Sequence, residues 1–267
     1  MTSLNTASMM FRVLRNVMYG VLALLVIAYV GICILLFVKQ RDLLYFPTAA
    51  LKISNAEPIS IEMDAGKMKG WVVNPGKTKA MIYFGGNGEQ VERNADFFTK
   101  CLPEQSVFLM PYRGYGGNPG APSETGIFAD ALALESHVRM NYPEVSLMGR
   151  SLGSGVATYL ASQKPIVKTL LITPYDSIAD VAADKYPLFP VRWLLKDRYN
   201  SAGYAGLVKS KVKIMIAMED AVIPPSHSFK LVSAFKQKPT VKVINGVGHN
   251  SISSAEDYAF EVCDFLK

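Results

Sequence analysis

The sequence has little of what metal and nucleotide sites require. Its three cysteines fit no zinc-ligand spacing. The glycine patterns G-x-x-x-x-G-K-[ST] and G-x-G-x-x-G, whose backbone N–H groups cradle phosphates, are both missing. We therefore expect no metal ion and no cofactor. Cys33 lies in an apolar run. The sequence does not decide whether Cys101 and Cys263 form a disulfide or are two free thiols.

Long basic runs are also missing. The chain has 28 Lys and Arg against 22 Asp and Glu, but residues 1–41 hold four of the basic and none of the acidic side chains. The remainder is therefore nearly neutral. Its densest basic patch, residues 209–213, is more typical of a solvated strand end than of a nucleic-acid surface. We expect no nucleic-acid partner.

Half of the residues are hydrophobic, and the excess comes from one segment near the N-terminus. Residues 17–37 contain no charge and would cover roughly 30 Å as a helix, the thickness of a hydrocarbon core. A buried core helix seldom stays uncharged on every face. A cleaved signal peptide has a shorter apolar stretch and a small-x-small cleavage site, and residues 39–42 offer none.

The sequence therefore predicts a tail over residues 1–16 and a single transmembrane anchor over residues 17–38, with the bilayer as a partner. Arg12 and Arg15 on one side balance Lys39 and Arg41 on the other. The positive-inside rule consequently leaves the side of the membrane on which the rest of the chain lies undetermined.

No repeat, low-complexity tract or Pro/Gly-rich linker divides the rest, so residues 42–267 are expected to form one domain. Strand-like and helix-like segments alternate along it, which is typical of parallel strands with helices on both faces of the sheet. The fold class is therefore α/β, with a mostly parallel central sheet that starts with a β-hairpin. The predicted strands are 59–63, 68–73, 79–84, 106–110, 145–148, 167–172, 213–217 and 241–244.

One stretch interrupts this alternation. Residues 175–210 are rich in aromatics but contain no strand-like segment. Because ligands in parallel sheets bind at the carboxyl ends of the strands, we interpret this stretch as a small cap inserted over those ends.

The strongest chemical signal is a single serine motif. Residues 149–153 read Gly-Arg-Ser-Leu-Gly, the pattern G-x-S-x-G, between an apolar strand and a helix of small residues. A turn that lifts a serine hydroxyl out of a sheet leaves no room for side chains two residues before and after it. Although the pattern alone is weak, its flanks make Ser151 the predicted nucleophile.

A serine hydroxyl needs an imidazole to take its proton, and the chain has three histidines. His137 falls in a helical segment and is interpreted as a helix-surface residue. His227 follows two prolines at a helix start, where capping or exposure explains it. His249 follows the last strand, in a loop where Gly246 and Gly248 permit a close approach. His249 is therefore the predicted base.

The imidazole in turn needs a carboxylate to hold its tautomer. Asp220 follows the strand over residues 213–217 and is favoured for this role. Glu219 and Asp176, which lies just past the preceding strand, remain as rivals. The order serine, acid, histidine is the one that hydrolases with this strand–turn–helix motif follow.

Acyl transfer also needs backbone N–H groups that bind the oxyanion. One is expected from Leu152, directly after the nucleophile. The other is expected from the loop over residues 85–88, Gly-Gly-Asn-Gly, with Gly86 and Asn87 as the favoured amide donors. The alternative for that loop is an ordinary turn.

With these residues placed, the chain resembles the membrane-anchored α/β-hydrolase-domain family. The resemblance implies an α/β-hydrolase fold and hydrolysis of carboxylic esters or thioesters, with Ser151 as nucleophile, Asp220 as orienting acid and His249 as base. It is carried by residues 83–88, 112–116, 120–124, 149–153, 174–177, 186–190 and 248–250.

The chain departs from that family pattern at two positions. Gly85 stands where relatives often have histidine, and Pro111 stands where they often have an acidic residue or asparagine. Neither position belongs to the predicted triad. Arg113, in the motif that follows Pro111, is interpreted as a structural residue that ties loops beneath the site.

The sequence thus predicts a membrane-anchored serine hydrolase that acts on a small-molecule or lipid-like acyl substrate. Two alternatives stay open: a peptidase-like amide hydrolase, and a non-catalytic binding module with a hydrolase fold. No obligate protein partner is evident from the sequence.

Overall fold

The N-terminal helix is longer than the predicted anchor. The computed structural model describes the backbone of residues 2–267 and the side chains of residues 8–267. Helix α1 (Thr2–Leu44) is continuous, so most of the predicted tail over residues 1–16 is helical, while Met1 lies outside the described residues. From Ser8 to Leu44 this helix is long and apolar enough to cross a membrane, with a mean hydropathy of 3.1 in its most apolar window.

The helix also continues beyond the predicted anchor boundary at residue 38. Lys39 and Asp42, three residues apart, form an ion pair of 3.0 Å on its surface, and such pairs stabilise a helix. Pro47 follows soon after the helix ends. Because proline disfavours helical backbone in the residue before it, the helix ends close to this point.

A single eight-stranded sheet forms the centre of the domain, and this confirms the predicted α/β class. The strand order is β1-β2-β4-β3-β5-β6-β7-β8. The pairs β1–β2 and β2–β4 are antiparallel, and all other neighbours are parallel. The strands are β1 (Glu57–Met63), β2 (Gly66–Val73), β3 (Lys79–Phe84), β4 (Gln105–Leu109), β5 (Glu144–Arg150), β6 (Lys168–Ile172), β7 (Lys211–Ala217) and β8 (Thr240–Ile244).

Helices cover both faces of the sheet, with one apolar cluster on each side. Ile127, Val156 and Leu231 represent α3, α4 and α8 in one cluster, and Phe98 and Val262 represent α2 and α9 in the other. The helices of the domain are α2 (Ala95–Cys101), α3 (Glu124–Arg139), α4 (Leu152–Gln163), α5 (Ile178–Lys185), α6 (Val191–Leu194), α7 (Ser201–Ala205), α8 (Pro225–Ala234) and α9 (Tyr258–Leu266), with 3₁₀ turns at Val91–Asn94 and Ile252–Ser254.

The segment predicted as a cap, residues 175–210, contains the three short helices α5, α6 and α7 and no strand. It lies against the C-terminal half of α1, where Arg41 pairs with Asp197 at 2.9 Å. The hydroxyls of Tyr45 and Tyr199 are 2.9 Å apart and buried. The cap therefore joins α1 to the sheet domain.

The packing of α2 against α9 brings Cys101 and Cys263 together. Cys101 at the end of α2 and Cys263 in α9 form a disulfide across 162 residues of sequence. Cys33, within α1, is a free thiol. The disulfide fixes two helices that share one face of the sheet.

Candidate active site

The turn that presents Ser151 has no space for larger flanking residues. Ser151 adopts φ 51° and ψ −120° between β5 and α4, a strained conformation for a residue with a Cβ. A Cβ at Gly149 would collide with the carbonyl of Gly153, and one at Gly153 would collide with the carbonyl of Phe84. Both glycines are therefore required for the reversal, as the motif predicts.

The predicted base lies next to the predicted nucleophile. His249 follows β8 in the loop that begins at Gly246, whose φ of +74° favours glycine. The Nε2 atom of His249 is 2.8 Å from the Oγ atom of Ser151. The imidazole is largely buried, with 8% of its surface exposed. The two side chains are thus in direct hydrogen-bond contact across 98 residues of sequence.

The other ring nitrogen of His249 faces Asp220. The distance from Nδ1 to Oδ2 of Asp220 is 2.7 Å. The second oxygen, Oδ1, accepts hydrogen bonds from the backbone N–H groups of Val222 and Ile223, each at 2.8 Å. Since the carboxylate is buried and held by these amides, its position is fixed. Its rival Glu219 is exposed.

The structure corrects the interpretation of His227. This residue is fully buried rather than a capping or exposed side chain. Its Nδ1 atom lies 2.7 Å from Oδ1 of Asp176, so the other rival carboxylate is paired with a different imidazole. No hydrogen bond joins this pair to Ser151 in the part of the chain that the structure describes. His137 is partly buried on α3.

The predicted oxyanion loop needs one correction. The backbone N–H of Gly86 donates to Oε2 of Glu89 at 2.7 Å, so it is already engaged and does not face a ligand. The amide of Leu152 starts helix α4, where the first N–H groups lack intrahelical partners. Among residues 2–267, no acceptor contacts the amide of Asn87 or that of Leu152. These two amides therefore remain candidate donors.

The side chain of Asn87 binds the end of α1. Its Oδ1 atom accepts from the backbone N–H of Phe46 at 3.0 Å and from the hydroxyl of Tyr115 at 2.8 Å. Its Nδ2 atom donates to the carbonyl of Leu44. The loop that carries the free Asn87 amide is therefore fixed to the last turn of the N-terminal helix.

Sequence reasoning missed Glu89, the centre of the network under this loop. Its carboxylate accepts from the hydroxyl of Tyr83 at 2.6 Å and from Nδ2 of Asn94 at 2.8 Å, besides the amide of Gly86. Arg150 pairs with it at 3.2 Å. The only signal in the sequence is an acidic residue directly after the glycine loop, which no motif singles out.

Arg150 connects this network to the base. One of its guanidinium nitrogens lies 3.4 Å from the carbonyl oxygen of His249. Burial is the largest single influence and lowers the pKa of the Arg150 guanidinium, but Glu89 together with Tyr83 and Tyr258 raises it by more, so the net shift is upward. Arg150 therefore remains charged and ties the two loops that flank Ser151. Arg113, by contrast, pairs with Asp130 and Asp64, each at 2.7 Å, and serves the scaffold.

A cavity of about 300 Å³ lies over Ser151 and His249. Phe46 and Val222 form apolar walls, and Asn87 lies at its edge. Within the described residues, no group of three or more His, Cys, Asp or Glu side chains is arranged to hold a metal ion. An imidazole between a hydroxyl and a buried carboxylate can take the proton of that hydroxyl and so generate a nucleophile.

Comparison with known proteins gives relatives over most of the chain. An uncharacterized protein of Mycobacterium tuberculosis, Rv2307c, is 32% identical over 245 residues, which cover 86% of this chain and 87% of the relative. The α/β hydrolase domain-containing protein 17C of Xenopus laevis is 27% identical over 72% of this chain and 63% of its own length. No family model matches the chain.

Two further matches concern the membrane and the fold. A Saccharomyces cerevisiae protein named an uncharacterized membrane protein, YNL320W, is 34% identical over 47% of this chain and 48% of its own length. The solved structure of the esterase Pf2001 of Pyrococcus furiosus superposes with a TM-score of 0.68 and 17% identity. It covers 83% of this chain and 98% of the esterase. That likeness shows the fold.

Proposed function

Because this chain belongs to the α/β-hydrolase-domain family, we propose that it is a serine hydrolase that cleaves carboxylic ester or thioester bonds of acyl, lipid-like substrates. The fold and the relatives support hydrolase activity in general. The observation that carries the finer proposal is the hydrogen-bonded chain from Ser151 through His249 to Asp220.

The first half-reaction acylates the serine. The Oγ atom of Ser151 attacks the acyl carbonyl while Nε2 of His249 takes its proton, and the buried Asp220 carboxylate stabilises the imidazolium. The backbone N–H groups of Asn87 and Leu152 donate to the oxyanion of the tetrahedral intermediate. The imidazolium then gives the proton to the leaving alcohol or thiol as the acyl–oxygen or acyl–sulfur bond breaks.

The second half-reaction releases the acid. A water molecule attacks the acyl-serine carbonyl, His249 takes one of its protons, and the same two amides bind the new oxyanion. The proton returns to Oγ of Ser151 when the acyl–serine bond breaks. The products are a carboxylic acid and the regenerated enzyme.

The proposal includes a single-pass membrane anchor formed by α1. The helix from Ser8 to Leu44 is long enough to cross a bilayer, and its apolar side chains are exposed. A relative from yeast is named a membrane protein. An anchor would hold the catalytic cavity close to the bilayer surface, where lipid-like esters concentrate.

The test uses the full-length protein in detergent, as wild type and as Ser151→Ala. We expect a fluorophosphonate probe to label the wild type alone, and we expect p-nitrophenyl esters to be turned over by the wild type alone. Ser136→Ala, a change at an exposed serine of α3, serves as the matched control for folding and should keep the label.

The outcomes separate the alternatives. Absence of both labelling and turnover in folded wild-type protein would contradict the proposal and favour a binding module. Faster cleavage of peptide anilides than of esters would favour a peptidase-like amide hydrolase.

A further inference from the structure

A second cavity lies away from Ser151, between α1 and the cap. It has a volume of about 290 Å³ and an almost wholly apolar lining. We call it the anchor groove. Its walls include Leu36, Phe37 and Leu44 of α1 and Ala182, Phe189 and Leu195 of the cap. An apolar cavity of this kind holds water poorly and favours a hydrocarbon ligand.

The cap runs along α1 for several turns. Near the sheet domain, Asp197 pairs with Arg41, and the backbone N–H of Lys196 donates to Oε1 of Gln40 at 2.6 Å. Farther along, the ring of Phe189 stacks on that of Tyr29 at 5.7 Å. Tyr29 is ten residues before Lys39, which corresponds to about 15 Å along the helix axis.

The tip of the cap is apolar on its outer surface. Tyr186, Leu188 and Trp193 are 49%, 79% and 89% exposed, and residues 186–191 carry no charge. Exposed charges flank this stretch, with Asp184 and Lys185 before it and Arg192, which is ion-paired with Asp180 at 2.6 Å, after it. An exposed apolar surface of this kind marks an interaction site rather than a face in water.

The neighbouring turns of α1 indicate what covers this tip. Ile34, Leu35 and Val38 are exposed and apolar, and the first charge after them is Lys39. If α1 spans a bilayer, hydrocarbon surrounds the helix at these turns. The cap tip, which contacts α1 as far back as Tyr29, then lies at the depth of the acyl chains.

The inner end of the anchor groove adjoins the catalytic cavity. Leu44 lines the groove, and its carbonyl accepts the hydrogen bond from Nδ2 of Asn87. Phe46, two residues later, is a wall of the cavity over Ser151. The two cavities have no lining residue in common, but this hydrogen bond brings a wall residue of the groove into contact with a wall residue of the catalytic cavity.

We propose that the anchor groove binds the acyl chain of a membrane lipid ester, which enters sideways from the bilayer while its ester group reaches Ser151. This inference rests on the proposed function and narrows it. The substrate is then a lipid whose chain never passes through water, and the groove determines the preferred chain length.

The test fills the groove in the full-length protein. Ala182→Phe places a ring in the groove, whereas Ala183→Phe places the same ring on the next residue of α5, which faces a separate crevice beside Trp193. Both variants, wild type and Ser151→Ala are assayed in detergent against p-nitrophenyl esters from acetate to palmitate. The measured quantity is the ratio of kcat/KM for palmitate over acetate.

We expect Ala182→Phe to lower this ratio by about ten-fold or more, because buried methylene groups lose their contacts. We expect Ala183→Phe to stay within about two-fold of the wild type. If the ratio for Ala182→Phe equals that for Ala183→Phe, the groove does not bind the acyl chain. The proposed ester hydrolysis would be unaffected by this result.

A binding measurement decides the question if no ester is cleaved or if Ala182→Phe is unstable. Ser151→Ala protein in nanodiscs is irradiated with a phosphatidylcholine that carries a diazirine in its acyl chain. We expect labelled peptides from the cap to include Ile178 and Leu195, which line the groove. Labelling confined to the outer tip residues Leu188 and Trp193 would refute a groove occupant, whatever the enzymatic result.

Discussion

At the scale of single residues, two aspartates compete for the role of the acid, and their surroundings differ. Asp220 contacts His249 and two backbone amides, while Asp176 contacts the fully buried His227. Lys230 also lies 3.8 Å from Asp176. We therefore assign Asp220 to the chemistry and Asp176 to the attachment of α8.

This assignment predicts opposite effects for two matched substitutions. Asp220→Asn should lower kcat by a factor on the order of 10⁴ with little change in stability, because the amide holds the wrong tautomer of His249. Asp176→Asn should lower the free energy of unfolding by about 2 kcal/mol, because the buried imidazole of His227 loses the carboxylate at its Nδ1 atom and keeps only Asp184, near Nε2. Ester hydrolysis and urea denaturation measure the two quantities.

The reverse pattern would contradict the assignment. A large loss of kcat in Asp176→Asn, with Asp220→Asn nearly as active as wild type, would make Asp176 the acid. If both variants lose the same stability and both keep the kcat of the wild type, neither residue has a role in proton transfer.

The sequence predicts a residue's role where the backbone turn has no space for a larger side chain. It does not predict roles that depend on contacts with other side chains. Gly149 and Gly153 follow from the turn itself, since any Cβ collides there. Gly86 was predicted as a donor because glycine exposes its backbone, but Glu89, three residues later, binds that amide. His227 was misjudged because burial depends on packing of distant segments, which local sequence does not reveal.

At the scale of elements, the alternating pattern predicted both ends of all eight strands to within two residues. β5, for example, was expected at residues 145–148 and extends over Glu144–Arg150. Short apolar runs predict such strands well, because buried parallel strands are apolar on both faces. The end of α1 was less predictable, since charged residues after the apolar run are equally compatible with helix and loop.

The end of α1 and the residues directly after it also support the site, which their composition does not indicate. Leu44 and Phe46 are the residues whose backbone groups bind the side chain of Asn87. The amide of Asn87 is one of the two proposed oxyanion donors. Geometry at the site therefore depends on an element that belongs to the anchor.

Two truncations of the chain test this dependence. Removal of residues 1–38 keeps Leu44 and Phe46, and we expect turnover of p-nitrophenyl acetate within about three-fold of the full-length protein in detergent. Removal of residues 1–46 takes away two of the three partners of the Asn87 side chain and leaves only Tyr115. We expect kcat to fall by about 100-fold, because a displaced donor no longer meets the oxyanion.

Circular dichroism checks that both truncated proteins keep the sheet. Equal turnover by the two folded truncations would show that the end of α1 does not hold the oxyanion loop. Loss of turnover in both would instead assign the catalytic contribution to residues before Lys39.

At the scale of the whole molecule, the sequence predicted an anchor and a domain as separate parts, and the structure packs them together. The contacts between Tyr29 and Phe189, and between Tyr45 and Tyr199, join residues more than 150 positions apart. No periodicity or motif reports such pairs, since each partner looks like an ordinary aromatic residue in its own segment. The packing places the cap beside α1, the helix that we propose as the membrane anchor.

The depth of the cap tip follows from this packing and can be measured with the two tryptophans of the chain. Trp193 is 89% exposed at the tip, whereas Trp71 lies in β2 of the sheet. In nanodiscs, the Trp71→Phe variant should show blue-shifted emission that lipids brominated on their acyl chains quench strongly, because Trp193 contacts hydrocarbon. The Trp193→Phe variant, which reports Trp71 alone, should show little quenching. Red-shifted emission from Trp193, typical of an indole in water, with quenching no greater than that of Trp71, would place the tip outside the bilayer. The route from lipid to groove would then be excluded.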